Sequence, residues 1–293
     1  MVKGGKTLAI DVLCLEQIKK DFGKTEVLKN INFVIEKGSV YGLVGQNGAG
    51  KTTLLRLITG LMKPTEGNIS LHTETPYIGY MPQSCRFDDR QTVAGTVSFF
   101  SALRKKENVE GLKLCKKLEL DTAKKVKHLS PGQQKKLQMV IAMIGDPDLY
   151  ILDEPTAGLD PGATYEMGKL LKEIRNNGKS MVISSHILQD MDIVCTNVVI
   201  MESGKLIYNQ ELESSYIVKT SPIEEALLER LTAQFELSAS DDRMIVHVKT
   251  DQNGVAELIK MLTFNAVDIF EVSLSKVKNV IHQQLRMGEK EGQ

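Results

Sequence analysis

The 293 residues are enough for about two domains, and 42% hydrophobic with 25% charged residues is ordinary globular composition. A formal net charge of +0 excludes a whole-chain basic field of the kind that gathers nucleic acid. Four cysteines, Cys14, Cys85, Cys115 and Cys195, stand far apart with no C-x-x-C pair, which points away from disulfides or zinc and toward buried free thiols in a reducing cytosol.

At the N-terminus the apolar run Leu8-Ala9-Ile10 is cut by Asp11 and is too short for a secretory signal. The longest apolar candidate, residues 137–145, includes Gln138 and falls well short of the roughly 18 residues a spanning helix needs. The chain is therefore not expected to cross a membrane, and any role at one requires a partner that does. Residues 7–12 and 31–35 read as strands around a polar hairpin. Phe22 lies between them in the turn-like stretch Lys20-Asp21-Phe22-Gly23-Lys24. An aromatic there either stacks on adenine or covers the edge of a small sheet, and the local residues leave both readings open.

The apolar run Val40-Tyr41-Gly42-Leu43-Val44 leads into Gly45-Gln46-Asn47-Gly48-Ala49-Gly50-Lys51-Thr52-Thr53, and Leu54-Leu55-Arg56-Leu57-Ile58 follows with helical spacing. Strand, loop and helix surround a match to G-x-x-x-x-G-K-[ST], the phosphate-binding loop. Glycines let successive backbone N–H groups turn inward around a phosphate, and the helix directs its positive end at the same anion. Lys51 is placed to reach the β- and γ-phosphates, and the Thr52 hydroxyl to ligate Mg²⁺.

Residues 60–67 are punctuated by Pro and Gly and read as a turn. Short strands follow at 68–71 and 77–80. Met81-Pro82 then leaves Gln83 on a loop, where its amide either ligates Mg²⁺, orients a water or is merely solvated. From about 88 to 145 the pattern is helical, with Val93, Val97, Phe100 and Leu103 at three- and four-residue spacing and a continuation through 112–120. Its many bases, among them Arg104, Lys105, Lys113, Lys124 and Lys127, read as a solvated face before a partner surface.

Leu129-Ser130-Pro131-Gly132-Gln133-Gln134 opens a further helix: Ser130 as N-cap, Pro131 in the first position and Gln133 as capping-box partner. The same geometry offers free N–H groups at a second anion site. Leu149-Tyr150-Ile151-Leu152-Asp153-Glu154 reads as a buried parallel strand with acids at its C-terminal edge, where ligands collect in open α/β sheets. Asp153 is placed to hold Mg²⁺ and Glu154 to polarise an attacking water. Asp160 caps the next helix, which runs to about Asn177 and stops at Gly178. A strand at 180–184 then presents Ser185 and His186, the histidine in reach of a γ-phosphate or simply structural. Residues 198–201 and 206–208 form a hairpin around Ser203-Gly204-Lys205.

After Ser214-Ser215 the character changes. Residues 212–293 carry 9 Lys/Arg against 13 Asp/Glu, and no catalytic constellation. Helices at 222–231, 255–262 and 276–285 and strands at 244–248 and 267–274 describe a small α/β appendage.

In order, these motifs resemble those of the nucleotide-binding subunits of ABC transporters over roughly residues 7–211. Residues 45–53 look like the Walker A motif, Phe22 like the A-loop aromatic, and Gln83 like the Q-loop glutamine. Residues 129–133 look like the LSGGQ signature with Pro131 in place of its first glycine. Asp153 and Glu154 resemble the Walker B aspartate and catalytic glutamate, Asp160 the D-loop and His186 the switch histidine. The resemblance implies an α/β fold: a RecA-like P-loop NTPase core (residues 1–212) with an antiparallel β subdomain and an α-helical subdomain at about 85–145. Residues 213–293 would form a small C-terminal α/β extension.

The resemblance further implies ATP and Mg²⁺ as ligands. ATP would lie between one subunit's residues 45–53 and Ser130, Gly132 and Gln133 of a second ATP-binding subunit, in a homodimer or a heterodimer. It implies an integral membrane permease as partner, docked near Gln83, and a peripheral place on the cytoplasmic face of the cell membrane, with no nucleic acid expected. The tail resembles, more weakly, the extension of ABC-2-type subunits linked to drug or antimicrobial-peptide export, although its usual Ser-Leu-Glu-led helix is degenerate at Ser273-Leu274-Ser275. A soluble ABC ATPase acting on ribosomes or nucleic acid is a competing function. Against it stand one phosphate loop, 46 residues between Gln83 and Ser130, and an acidic tail. An ATP-dependent immunity or sensing module would carry the same motor.

Overall fold

A computed structural model describes residues 11–75, 78–185, 194–211 and 215–274. The chain divides into two compact units, residues 1–210 and 211–293.

In the first unit, β1 (Asp11–Phe22), β2 (Thr25–Glu36) and β4 (Glu66–Leu71) make an antiparallel sheet in the order β2-β1-β4. β1 and β2 run longer than the sequence pattern indicates, so Phe22 ends a strand and only Gly23 and Lys24 turn. The pattern is obscured because β1 is bulged: its register against β2 shifts repeatedly, and Gln17 takes a left-handed conformation at φ 51. Bulges break the two-residue alternation on which strand recognition depends.

The second sheet has the order β5-β6-β7-β3-β8-β9. It is made of β3 (Val40–Val44), β5 (Gly79–Met81), β6 (Leu149–Asp153), β7 (Ser180–Ser184), β8 (Asn197–Glu202) and β9 (Lys205–Glu211). The pairs from β5 through β8 are parallel. β6 and β7 are buried at every position, as parallel strands covered on both faces must be. β9 returns through Ser203 and Gly204, both at positive φ, the requirement of a two-residue turn matched to strand twist. Helix α1 (Lys51–Ile58) and the two sheets share one core, in which Leu13, Ile18, Leu28, Ile35, Leu54, Leu55, Leu149 and Ile151 are fully buried.

Three helices, α2 (Val93–Leu103), α3 (Asn108–Lys117) and α4 (Pro131–Met143), lie within the segment expected to be helical and have their own core of Val93, Val97, Cys115, Leu137, Val140 and Ile144. Arg104 closes this layer by donating from Nη1 to the carbonyls of Ala142 and Ile144, at the C-terminal end of α4. Helix α5 (Pro161–Asn176) is tied to α4 by the Lys136–Glu166 ion pair at 2.6 Å and to α3 by the Lys117–Glu173 pair.

The second unit runs β10 (Ser215–Thr220), α6 (Glu225–Thr232), β11 (Glu236–Ala239), β12 (Ile245–Lys249), α7 (Gln252–Phe264) and β13 (Ile269–Leu274), with an antiparallel sheet ordered β11-β12-β10-β13. This is the βαββαβ ferredoxin-like arrangement. Its separate core joins Val218, Val246 and Val248 of the sheet to Leu227, Leu231, Leu258 and Leu262 of the helices. β10 and β11 are additions to the sequence reading: β10 sits where the chain changes character, and β11 is only four residues long. The helix expected at 276–285 lies outside the described residues.

Candidate active site

The site is built where β3 ends and α1 begins. An added Cβ at Gly45 would lie 2.3 Å from the Met201 carbonyl oxygen, so only glycine lets the loop pass β8. Gly50 has φ 106, and a Cβ there would meet Leu28 and Met201 side-chain carbons within 2.9 Å. The Gly204 N–H donates to the Ala49 carbonyl at 3.0 Å, so the β8–β9 turn holds the loop from outside. Lys51 begins α1, is 8% exposed, and donates from Nζ to the carbonyls of Gly45 at 2.5 Å and Gln46 at 3.1 Å. Its ammonium is thereby centred in the loop.

The next residue links the loop to the sheet edge. Thr52 Oγ1 donates to Asp153 Oδ2 at 3.1 Å, and Ser184 Oγ donates to Asp153 Oδ1 at 2.5 Å. Asp153 and Ser184 are direct register partners of β6 and β7, so the pairing itself sets this contact. The Glu154 N–H donates to Ser184 Oγ at 3.0 Å and to the Ser184 carbonyl at 3.2 Å. Glu154 is 6% exposed and has φ 54, in the left-handed region that costs an ordinary residue about 1–3 kcal/mol.

A buried lysine closes the far side. Lys135 of α4, 9% exposed, donates from Nζ to the Glu154 carbonyl at 3.0 Å and to the Gln83 carbonyl at 3.1 Å. Burial lowers its pKa, against the raising influence of the Asp153 and Glu154 carboxylates.

Among the described residues, hydrogen bonds bring Gly45, Gln46, Lys51, Thr52, Asp153 and Glu154 together, and Gln83 joins through its backbone while its side chain is exposed. Asn47, Gly48, Ala49 and Thr53 complete the loop and the first turn of α1. Phe22 stands half exposed at the end of β1, with Lys20 Nζ 5.3 Å from its ring centroid. Ser130, Gly132 and Gln133 are gathered separately at the N-terminus of α4. There Ser130 Oγ accepts from the Gln133 N–H at 3.2 Å, and Gln133 Oε1 accepts from the Ser130 N–H at 3.2 Å and from Lys124 Nζ at 2.9 Å. Asp160 caps α5 by accepting from the Ala163 N–H at 3.0 Å. His186 lies outside the described residues.

Sequence reasoning missed Ser184 and Lys135. Ser184 carried no signal beyond its place at a strand end, because its role arises from pairing across 31 residues with Asp153. Lys135 did carry one: it shares a helical stripe with Gln138, Met139 and Ala142, all buried, so a charge stands on an inward face.

Comparisons with known proteins identify the family. The family described as ABC transporter matches residues 28–157. An uncharacterized ABC transporter ATP-binding protein of Methanocaldococcus jannaschii is 32% identical over 234 residues, 73% of this chain and 88% of that protein. The Nod factor export ATP-binding protein I of Burkholderia lata is 34% identical over 205 residues, 65% of this chain and 67% of that protein. A solved ATP-binding subunit of an ABC transporter superimposes with a TM-score of 0.62 at 27% identity, covering 69% of this chain and 90% of that one. The chain belongs to the ATP-binding subunits of ABC transporters.

Proposed function

We propose that this subunit hydrolyses ATP to drive export through a separate integral membrane permease, and that residues 45–53, Asp153 and Glu154 form its hydrolytic half-site. The observation that carries this reading is the continuous hydrogen-bonded path from Thr52 through Asp153 and Ser184 to Glu154 at the C-terminal edge of β6. It supports the reading that a phosphate cradle, a pair of hard oxygens and the Glu154 peptide meet at one sheet edge.

The residues fit a nucleotide with Mg²⁺. The loop is pared to glycine at Gly45 and Gly50, where a Cβ would collide with neighbouring atoms, and its backbone N–H groups and Lys51 suit a polyphosphate. Thr52 Oγ1 and Asp153 Oδ2, 3.1 Å apart, are hard oxygen donors of the kind Mg²⁺ takes. Bound there, Mg²⁺ would offset charge on the β- and γ-oxygens. Lys51 would exchange its loop carbonyls for those oxygens, Phe22 would offer a face to adenine, and Gln83 would orient water at the metal side. Glu154, with its peptide held by Ser184 and Lys135, would accept a proton from the attacking water. His186, by its resemblance to the switch histidine, is assigned to the γ-phosphate.

Ser130 and Gly132 support a second role for a paired ATP-binding subunit. A Cβ at Gly132 would meet only Ala163 Cβ at 3.5 Å and Leu159 Cδ2 at 3.9 Å, so this fold does not itself demand glycine there. Close approach of a phosphate held by another subunit does. Asp160, beside that surface, would join the same contact. Among the described residues no helix is long and apolar enough to cross a membrane, in keeping with a separate permease. Export, rather than import, is supported by the Burkholderia lata relative, a Nod factor export ATP-binding protein. The peripheral cytoplasmic-face placement follows from the same partnership.

The direct test is Glu154→Gln. Turnover should fall by about 10²–10⁴-fold while ATP still binds. Wild-type turnover in this variant would remove Glu154 as the base. Lys51→Ala should lose ATP affinity in calorimetry, and unchanged affinity would contradict the phosphate role.

A further inference from the structure

Lys135 is a buried cation that the hydrolytic scheme above does not itself require. Desolvating an ammonium is costly, and a well-packed apolar side chain in its place is commonly no less stable. What the lysine holds explains its presence. Its two acceptors are the carbonyls of Gln83, on the loop after β5, and of Glu154, whose left-handed backbone leaves its carbonyl outside both helix and sheet ladders. The Glu154 carbonyl also accepts from the Ala157 N–H at 3.3 Å, so Lys135 adds a second donor to it and, with that donor, a tie to α4. Glu154 is thus fixed at both ends: Ser184 of β7 takes its N–H, and Lys135 of α4 takes its carbonyl.

The position of Lys135 on α4 gives this a consequence. Ser130 caps the same helix and Gly132 lies in its first turn, while Lys135 sits in the next turn. The three residues belong to one continuous helix and its N-cap, and a complete capping box satisfies the helix start. A pull or push on Ser130 and Gly132 is therefore transmitted to the Glu154 peptide and to the Gln83 loop through one side chain.

We propose that Lys135 is a positioning residue for hydrolysis: it couples the location of the α4 N-terminus to the orientation of the Glu154 carboxylate and the Gln83 loop. The proposal rests on the reading of Glu154 as the base. A misplacement of about 1 Å at a reacting group can cost about 10²-fold in rate, so the coupling acts on turnover and not on nucleotide capture.

The test uses the full chain. Lys135→Met removes the donor with similar side-chain length, and Lys135→Gln keeps a shorter neutral donor. For Lys135→Met, kcat should fall about tenfold to a hundredfold with KM for ATP and the Kd of a fluorescent ATP analogue within about twofold of wild type. Lys135→Gln should recover part of the loss. A purely structural role would move Kd and kcat together, and that result, or a wild-type kcat in both variants, overturns the proposal. If Lys135→Met does not fold, Lys135→Gln carries the same criteria. Glu154→Gln is measured alongside: if it turns over ATP at the wild-type rate, the base assignment fails. If it is inactive while both Lys135 variants are unimpaired, only the coupling fails.

Discussion

Two glycines of the proposed site divide the work of a small residue. At Gly45 the fold itself requires it, since a Cβ would lie 2.3 Å from the Met201 carbonyl oxygen. Gly45→Ala should therefore force β8 or the loop to shift, at a cost of about 1–3 kcal/mol, and lower both the melting temperature and ATP affinity. At Gly132 the nearest neighbour of a Cβ is 3.5 Å away, and alanine suits a helix better than glycine. Gly132→Ala should melt at or slightly above the wild-type temperature yet lose ATPase activity, because a methyl would stand between α4 and a phosphate arriving from another subunit. A Gly132→Ala protein that is fully active would contradict that contact; one that melts far lower would show that the fold does demand glycine. The loop, Asp153 and Glu154 are legible in the sequence because the residue types that mark them stand at fixed local spacing. Ser184 and Lys135 are not, since each acts through a register or a helix face that brings together segments far apart in the chain.

The elements differ in how openly they announce themselves. α4 and α5 were readable to their caps, Ser130 and Asp160, because a hydroxyl or carboxylate before Pro satisfies the orphan N–H groups of a helix start. β1 and β2 were under-read because the bulges around Gln17 and Asn30 disrupt their alternation. The helical layer also carries an internal reporter. Cys115 of α3 is fully buried in its core, and burial pushes its thiol up to about 11. Reaction requires the thiolate, which at pH 8 is then only about one part in a thousand. Cys14 and Cys85 are partly exposed, though their thiols too are shifted upward, chiefly by burial. In the native protein at pH 8 a maleimide should modify Cys85 well before Cys115, with Cys115 following only on unfolding of the α2–α4 layer. Equal labelling rates, read by mass spectrometry of peptides, would show that this layer opens readily.

At the scale of the molecule, two units with separate cores share one chain, and the division of charge follows them: residues 212–293 carry 9 bases against 13 acids. The ferredoxin-like order of the second unit was out of reach of the sequence pattern, because two of its four strands gave no clear signal. In the first unit the phosphate loop and Asp153 lie at one sheet edge, while Ser130 and Gly132 stand apart at the head of α4, an arrangement that fits half of the proposed site. In the proposed cycle ATP closes a second ATP-binding subunit over this half-site, and Glu154-dependent hydrolysis releases it. Sedimentation velocity of Glu154→Gln, with Mg²⁺ and either ATP or ADP, decides whether it does. The 32.5 kDa chain should sediment as a dimer in ATP and as a monomer in ADP; a variant that binds ATP yet stays at the monomer mass would contradict the account.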